Sequence, residues 1–246
     1  MNEKKIELSI ILCVFNELER LPVAFNNLIE SIGSKGIEAE VLIIDNCSTD
    51  GTREWIKKLE NPLVNKIFNE KNLGKGGSIK RGIKLSKGKY FVIFDPDLEY
   101  SPESIWDCLE EIKRTGCQGV LGSRTMMRKV EYHYLINRIG VQFLSIITNV
   151  LYGSNLTDTA TAVKMFETSF MQSIKFKRNG FNFDFELVCR ALICEGRIID
   201  VPVDYFPRTF SEGKKISAFK DGFLSFLAIL SDRFRTKSSL WKSSLE

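Results

Sequence analysis

One stretch constrains this chain more than any other. The apolar run Tyr90-Phe91-Val92-Ile93-Phe94, led in by Lys87-Gly88-Lys89, ends abruptly in Asp95-Pro96-Asp97-Leu98-Glu99. A short run of aromatic and β-branched residues without polar alternation reads as a strand covered on both faces, as in a parallel sheet, and it marks the middle of that sheet. Pro96 has no amide hydrogen and stops the ladder, so the acids fall where the strand leaves the sheet. Side chains alternate along an extended backbone, which predicts that Asp95, Asp97 and Glu99 share one side. Ligands of open α/β sheets bind outside the carboxyl ends of the strands. Clustered carboxylates repel one another unless a cation neutralises them, and an oxygen-only set suits Mg²⁺ or Mn²⁺ held jointly with substrate phosphates. The competing reading is an acidic turn in water.

The same rhythm precedes this stretch. Leu8 to Val14 is a second continuous apolar run, broken at Phe15-Asn16-Glu17, and Leu21, Phe25, Leu28, Ile29 and Ile32 follow at helical spacing behind Pro22. Val41 to Ile44 predicts a strand that ends in Asp45-Asn46-Cys47-Ser48-Thr49-Asp50-Gly51-Thr52, with Asp50 or Thr49 as cap of a helix over 53–59. Val64 to Phe68 predicts another strand. It leads into Asn72-Leu73-Gly74-Lys75-Gly76-Gly77-Ser78, where glycines would let backbone approach an anion at a helix start.

Beyond the acids, Ser101-Pro102-Glu103 opens a helix to about Thr115, and Gly119 to Gly122 is a short strand ending at Ser123-Arg124. Alternation to this point predicts right-handed crossovers and a parallel sheet. The rhythm then changes. Residues 125–134 read as a polar excursion, followed by a helix over 135–151, a strand over 163–166, a helix over 183–194 carrying Asp184 and Glu186, and a strand over 198–205.

The 246 residues, 43% hydrophobic and 27% charged, suit one large α/β domain over 1–236, with 237–246 as a loose tail. A net charge of +4 without a compact basic and aromatic platform argues against a nucleic-acid partner. Cys13, Cys47, Cys108, Cys117, Cys189 and Cys194 are scattered without C-x-x-C spacing, so they read as small buried hydrophobes in a reducing, cytoplasmic setting. The chain opens without a signal-like apolar core, and its longest apolar stretch, 139–152, is interrupted by Gln142, Ser145, Thr148 and Asn149. No membrane-crossing segment is expected. The basic helix over 214–236 carries Phe219, Phe223, Phe226, Leu227, Leu230 and Phe234 at near-helical spacing. That stripe packs against its own domain, against a second copy in a homo-oligomer, or on an anionic membrane surface.

Taken in order, Asn16-Glu17, Asp45 with Ser48-Thr49-Asp50-Gly51-Thr52, Asn72-x-Gly74-Lys75-Gly76, Asp95-x-Asp97 and Gly122-Ser123-Arg124 resemble the family 2 glycosyltransferases. Glu186, Val201-Pro202-Val203-x-Tyr205-x-Pro207-Arg208-Thr209 and Glu212-Gly213-Lys214-Lys215-Ile216 are similar to the dolichyl-phosphate sugar transferase branch. The resemblance, over residues 8 to 235, implies a GT-A fold, a Rossmann-like mostly parallel sheet between helices. It also implies a nucleotide-sugar donor (UDP or GDP), a divalent cation and inversion at the anomeric carbon. Phe15, Asn16, Glu17 and Asp45 would then meet base and ribose, Lys75 would lie near the donor, and Asp95, Asp97 and Glu99 would hold the metal. The acceptor would be a polyprenyl phosphate or a glycan at the membrane face.

The chemistry of such a transfer agrees with these residue types. Departure of a nucleoside diphosphate builds negative charge that a metal, Lys or Arg stabilises, which nominates Asp95, Asp97, Arg124 and Arg208. If the acceptor needs a general base, Asp158 is the first candidate and Glu186 the second. Asp158 could equally cap a turn, and Glu186 could pair with Arg190 one helical turn on. Arg208, Lys214 and Lys215 form a cationic loop suited to phosphate. Sole His133 is given a surface role. The rival functions are a nucleotide-binding scaffold without chemistry and a sugar nucleotidyltransferase; the latter wants a glycine-rich loop after the first strand, which Val14-Phe15-Asn16-Glu17 lacks.

Overall fold

A computed structural model gives the protein's structure, and it describes residues 5–126, 135–207 and 218–242. Seven strands form one sheet: β1 (Leu8–Val14), β2 (Ala39–Asp45), β3 (Val64–Phe68), β4 (Tyr90–Ile93), β5 (Gly119–Ser123), β6 (Lys164–Glu167) and β7 (Ile198–Pro202). Their order is β3-β2-β1-β4-β6-β5-β7, so the acid-tipped β4 is the central strand as expected.

The continuous apolar runs are explained by burial on both faces. From β1, Leu8, Ile10, Leu12 and Val14 point into one core layer and Ile11 into the other; β4 divides Tyr90 and Val92 from Phe91 and Ile93 in the same way. The first layer is closed by α1 (Leu21–Lys35) through Leu21, Phe25 and Leu28, and by α4 (Glu103–Thr115) through Ile105, Leu109 and Ile112. The second is closed by α3 (Gly74–Leu85) through Ile79 and Ile83, and by α7 (Phe183–Ile193) through Leu187 and Val188. Pro sits in the first turn of α1, where its missing N–H costs nothing, and α1 and α4 stop at Gly36 and Gly116 in the left-handed conformation. The short α2 (Thr52–Lys58) and α6 (Thr168–Gln172) complete the connections.

The sheet departs from the expected uniform direction in one place. β6 runs antiparallel to both β4 and β5, while the other pairs are parallel. A buried apolar run carries no mark of its direction; the connection through α5 (Leu135–Tyr152) fixes it, returning the chain at the same end of the sheet at which it left β5, so that Lys164 starts β6 beside Leu121. Against α7 lie α5 and α8 (Ala218–Arg233), joined in a satellite core of Leu144, Phe185, Cys189 and Ile229.

Residues 237–242, expected to be loose, are docked. They form α9 (Lys237–Leu240), Leu240 is 1% exposed, Trp241 packs edge-on against Phe170, and the Lys242 amide donates to the Ser173 carbonyl. Two large apolar side chains separated by one residue's pitch supply the anchor. The expectations placed on 127–134, His133, Arg208, Lys214, Lys215 and 243–246 lie outside the described residues.

Candidate active site

The strand order reverses direction between β1 and β4, and the crevice of a doubly wound sheet opens at such a point. Here it is a cleft of about 510 Å³. Phe15 and Glu17 reach it from the end of β1, Asn46 from β2, Lys75 and Ser78 from α3, Asp95, Asp97, Glu99 and Tyr100 from β4, and Arg124 from β5. Phe181 and Asp184 beside Lys75, Tyr205 beside Glu99 and Arg124, and Ala160 and Ala162 complete the lining.

The loops after β1 and β2 are stitched to each other by side chains. The Asn16 amide donates to Ser48 Oγ (2.9 Å), the Thr49 amide to Asn16 Oδ1 (2.8 Å) and the Glu17 amide to Thr52 Oγ1 (3.0 Å). Asp50 accepts from the Leu18 and Thr52 amides and so ties the neighbouring loop to the first residue of α2, whose N-cap is Gly51 rather than the expected Asp50 or Thr49. Asn16 holds a left-handed φ of 53°, a conformation its short amide tolerates. Asp45 is fully buried beneath this loop, with Oδ1 accepting the Ser48 amide (3.2 Å) and Oδ2 3.3 Å from Arg53. It does not line the cleft; its neighbour Asn46 does.

Asn46 binds Asn72 and the Leu73 amide and so sets the entry to α3. The glycines there serve packing. A Cβ on Gly74 would fall 2.3 Å from the Asn179 carbonyl oxygen and one on Gly76 would fall 2.4 Å from Phe183 Cβ. The expected reason, approach of backbone to an anion, is not what the contacts around Gly74 and Gly76 demand. They let the loop before α7 lie directly on the first turn of α3.

The acids after β4 form a turn, since β4 ends at Ile93. Leu98 has φ of 65°, and the Glu99 amide donates to Asp97 Oδ1 (3.0 Å). The alternation expected of an extended chain therefore does not operate, yet the turn still brings Asp95, Asp97 and Glu99 to the cleft. Lys75 Nζ donates to Asp95 Oδ2 (2.7 Å), and the Tyr205 hydroxyl donates to Glu99 Oε2 (3.0 Å). Among the described residues, no three His, Cys, Asp or Glu side chains converge as a self-sufficient metal cage. The donor set that remains, the Asp95 and Asp97 carboxylates in an open cleft, fits a hard cation completed by diphosphate oxygens. Glu99, expected as third ligand, is engaged by Tyr205.

Arg124 and Asp158 are a buried bidentate pair, Nε to Oδ2 2.6 Å and an outer guanidinium nitrogen to Oδ1 2.8 Å, with the Arg124 amide adding 3.1 Å. Burial opposes the charge on Asp158, but the guanidinium outweighs it and holds the carboxyl below the usual range. Arg124 also lies 5.2 Å from the Tyr205 ring centroid. Asp158, nominated as a base, thus orients Arg124 and does not face the cleft. Glu186, the second nominee, is fully buried and accepts from the Lys177 and Arg178 amides, with Arg190 at 2.5 Å. It too lies off the cleft. Of the two readings open for Glu186, the structure adopts the ion pair with Arg190.

Sequence reasoning gave Asp184 and Lys164 no role. Asp184 stands on the first turn of α7 within 3.7 Å of Lys75 and 3.4 Å of Lys164, and Lys164 is fully buried on β6. Burial pushes the Lys164 ammonium down, whereas Lys75, although burial opposes its charge, is held above the usual lysine range by Asp184 and Asp95. The available signal was one lysine inside the apolar run Val163-Lys164-Met165-Phe166, since a charge there demands a buried acid.

The profile of "Glycosyl transferase family 2" matches residues 9–178. The chain is 25% identical over 213 residues to an undecaprenyl-phosphate mannosyltransferase of Micrococcus luteus, covering 83% of this chain and 85% of that one. It is 27% identical over 256 aligned positions to a dolichyl-phosphate beta-glucosyltransferase of Dictyostelium discoideum, covering 96% and 77%. Among solved structures it is similar to glucosyl-3-phosphoglycerate synthase from Mycobacterium tuberculosis in complex with Mn²⁺, UDP and phosphoglyceric acid. That match has a TM-score of 0.70 at 15% identity and covers 93% of this chain and 79% of that one, a likeness of fold.

Proposed function

This chain belongs to glycosyl transferase family 2 and is a GT-A glycosyltransferase, and from that premise we propose that it moves a hexose from UDP or GDP to a polyprenyl phosphate, with inversion and with Mg²⁺ or Mn²⁺ as cofactor. The observation that carries the reading is the cleft itself, where Asp95 and Asp97 leave the central strand between Lys75 on one side and Arg124 on the other. When bound, the cation neutralises the diphosphate leaving group as a Lewis acid.

The chain's own residues divide the remaining work. Phe15, Glu17 and the stitched loops over Asp45 receive base and ribose. Asp95 and Asp97 hold the cation, Lys75 meets charge developing on the leaving phosphate, and Arg124, kept in place by Asp158, offers its outer face to phosphate. Arg208, Lys214 and Lys215, which follow Tyr205 in sequence, are assigned to phosphate binding in the same proposal. A phosphate acceptor is already ionised at neutral pH and needs positioning rather than a base. The engagement of both nominated bases in buried ion pairs supports that acceptor over a sugar hydroxyl.

A membrane surface suits such an acceptor. On α5, Ile139, Phe143, Ile146 and Val150 are exposed at i, i+4, i+7 and i+11, and Phe143 stacks on Phe226 of α8. Phe223, Leu227 and Phe234 extend the apolar face, with Lys220 and Arg233 exposed on the same helix. Among the described residues no helix is long and apolar enough to cross a membrane.

The test is direct: incubate the protein with labelled UDP- and GDP-hexoses, a polyprenyl phosphate and Mn²⁺, then extract with organic solvent. Label in the lipid phase, lost on chelation, is expected. Turnover onto free glycans with none onto the lipid phosphate would overturn the acceptor.

A further inference from the structure

Four charges alternate in a row from the sheet to the acid turn. Lys164 Nζ donates to the Thr161 carbonyl and lies 3.4 Å from Asp184 Oδ1; Asp184 Oδ2 lies 3.7 Å from Lys75 Nζ; Lys75 Nζ donates to Asp95 Oδ2 at 2.7 Å. Lys164 is fully enclosed, while Lys75 and Asp184 line the cleft with side chains 16% and 13% exposed. Each ion is neutralised by its neighbours, which is what makes such a row tolerable in a low-dielectric wall.

The row has one consequence for loading. An ammonium at hydrogen-bond distance from Asp95 Oδ2 and a divalent cation cannot share that oxygen, because like charges a few ångströms apart repel strongly. Lys75 is unbranched and stands at the start of a helix, so its ammonium can swing while its backbone stays on the glycine-packed turn. Asp184 is the next carboxylate within reach.

We propose that Lys75 is the resident counter-ion of Asp95, that it yields this carboxylate to the entering cation and moves to Asp184 and the donor phosphate, and that Asp184, anchored by Lys164, is the positioning residue for this exchange. The inference rests on the cation-dependent reading above.

The test measures Mn²⁺ alone, by the loss of its free electron paramagnetic resonance signal, and separately the binding of UDP and GDP with and without Mn²⁺ by calorimetry. Lys75→Met removes the competitor, so Mn²⁺ alone binds about tenfold tighter, an opposite charge at this range being worth on the order of one or more pK units. Nucleotide binding in the presence of Mn²⁺ weakens in the same variant. Asp184→Asn deprives Lys75 of its second seat and weakens Mn²⁺ binding several-fold, whereas Lys75→Met with Asp184→Asn restores the tight value. A general loosening of the fold would not be rescued by the second substitution. Lys75→Met with unchanged or weaker Mn²⁺ affinity overturns the exchange, as does an Asp184→Asn loss that persists with Met at position 75. If Asp184→Asn fails to give a cooperative thermal transition, the Lys75→Met arm decides alone. Failure of the underlying reading looks different: Mn²⁺ would leave nucleotide binding to the wild type unaltered.

Discussion

Leu98 holds a backbone conformation that a branched side chain occupies at a cost of about 1–2 kcal/mol, and it does so between two acids of the cleft. Asp97 Oδ1 and the Phe206 amide, which donates to the Glu99 carbonyl (2.8 Å), hold the turn closed around it. Leu98→Asn is therefore expected to stabilise the fold by up to about 1 kcal/mol in urea unfolding, since Asn accepts the left-handed region. Asp97→Ala should lower the rate of nucleoside diphosphate release about 10²-fold or more, leaving the thermal midpoint near that of the wild type. Asp158 behaves oppositely: Asp158→Asn strands the Arg124 guanidinium and should cost about 3–5 kcal/mol. Because the folded values of Asp158 and Asp184 lie below the ordinary carboxylate value of 3.8, their stabilisation is complete above that value and is lost as pH falls through the lowered folded values. Urea midpoints measured from about pH 6 to about pH 3 should fall steeply only at the acid end, and less steeply in Asp158→Asn. Asp95, Asp97 and Arg124 were legible because each directly follows a buried strand. The partner of Asp158 was not, for Arg124 lies 34 residues away, and nothing local marks a carboxylate as taken. The Glu186–Arg190 spacing did offer the right alternative.

At the scale of elements, the junction of α3 with the loop before α7 holds the two tightest glycine positions among the described residues. Gly76→Ala would drive a methyl against Phe183, and Gly74→Ala would add a positive φ of 74° to a clash with the Asn179 carbonyl. Each is expected to cost about 1–3 kcal/mol in denaturant unfolding and to weaken nucleotide binding, because Lys75 stands between them. Sequence patterning exposed the glycines but not their reason, since the loop that needs the space arrives a hundred residues later in the chain. β1 falls on the expected residues for the physical reason that both its faces are buried, and the edge strand β3 does so on its apolar ends although Asn65 and Lys66 are exposed. The direction of β6 was not readable, because Val163 to Phe166 would bury equally well running either way. α9 shows a related gap: four ordinary residues and a tryptophan look like a tail until the groove beside Phe170 is known. Removing residues after Thr236 should lower the thermal midpoint by several degrees, the buried Leu240 alone contributing about 1.5–3 kcal/mol.

Over the whole molecule, the proposed function assigns the donor to the cleft and a lipid acceptor to the exposed apolar face of α5 and α8. Cosedimentation with vesicles containing anionic lipid should capture the protein, and Phe143→Ser with Val150→Ser should reduce capture severalfold while the unfolding midpoint holds, these side chains being exposed. High salt should weaken it further through Lys220 and Arg233. Family membership and architecture were open to sequence because the motifs from Asn16-Glu17 through Asp95-x-Asp97 to Gly122-Ser123-Arg124 follow one another in the family's order. The central claim is narrower: one cation lies between the acid turn and the diphosphate of the donor. Paramagnetic relaxation of the nucleotide's ³¹P signals by Mn²⁺ on the protein tests it most directly. The account predicts relaxation of both phosphates at direct-coordination distance in the wild type and its loss in Asp97→Ala. Equal relaxation in the two proteins, or none in either, would contradict it.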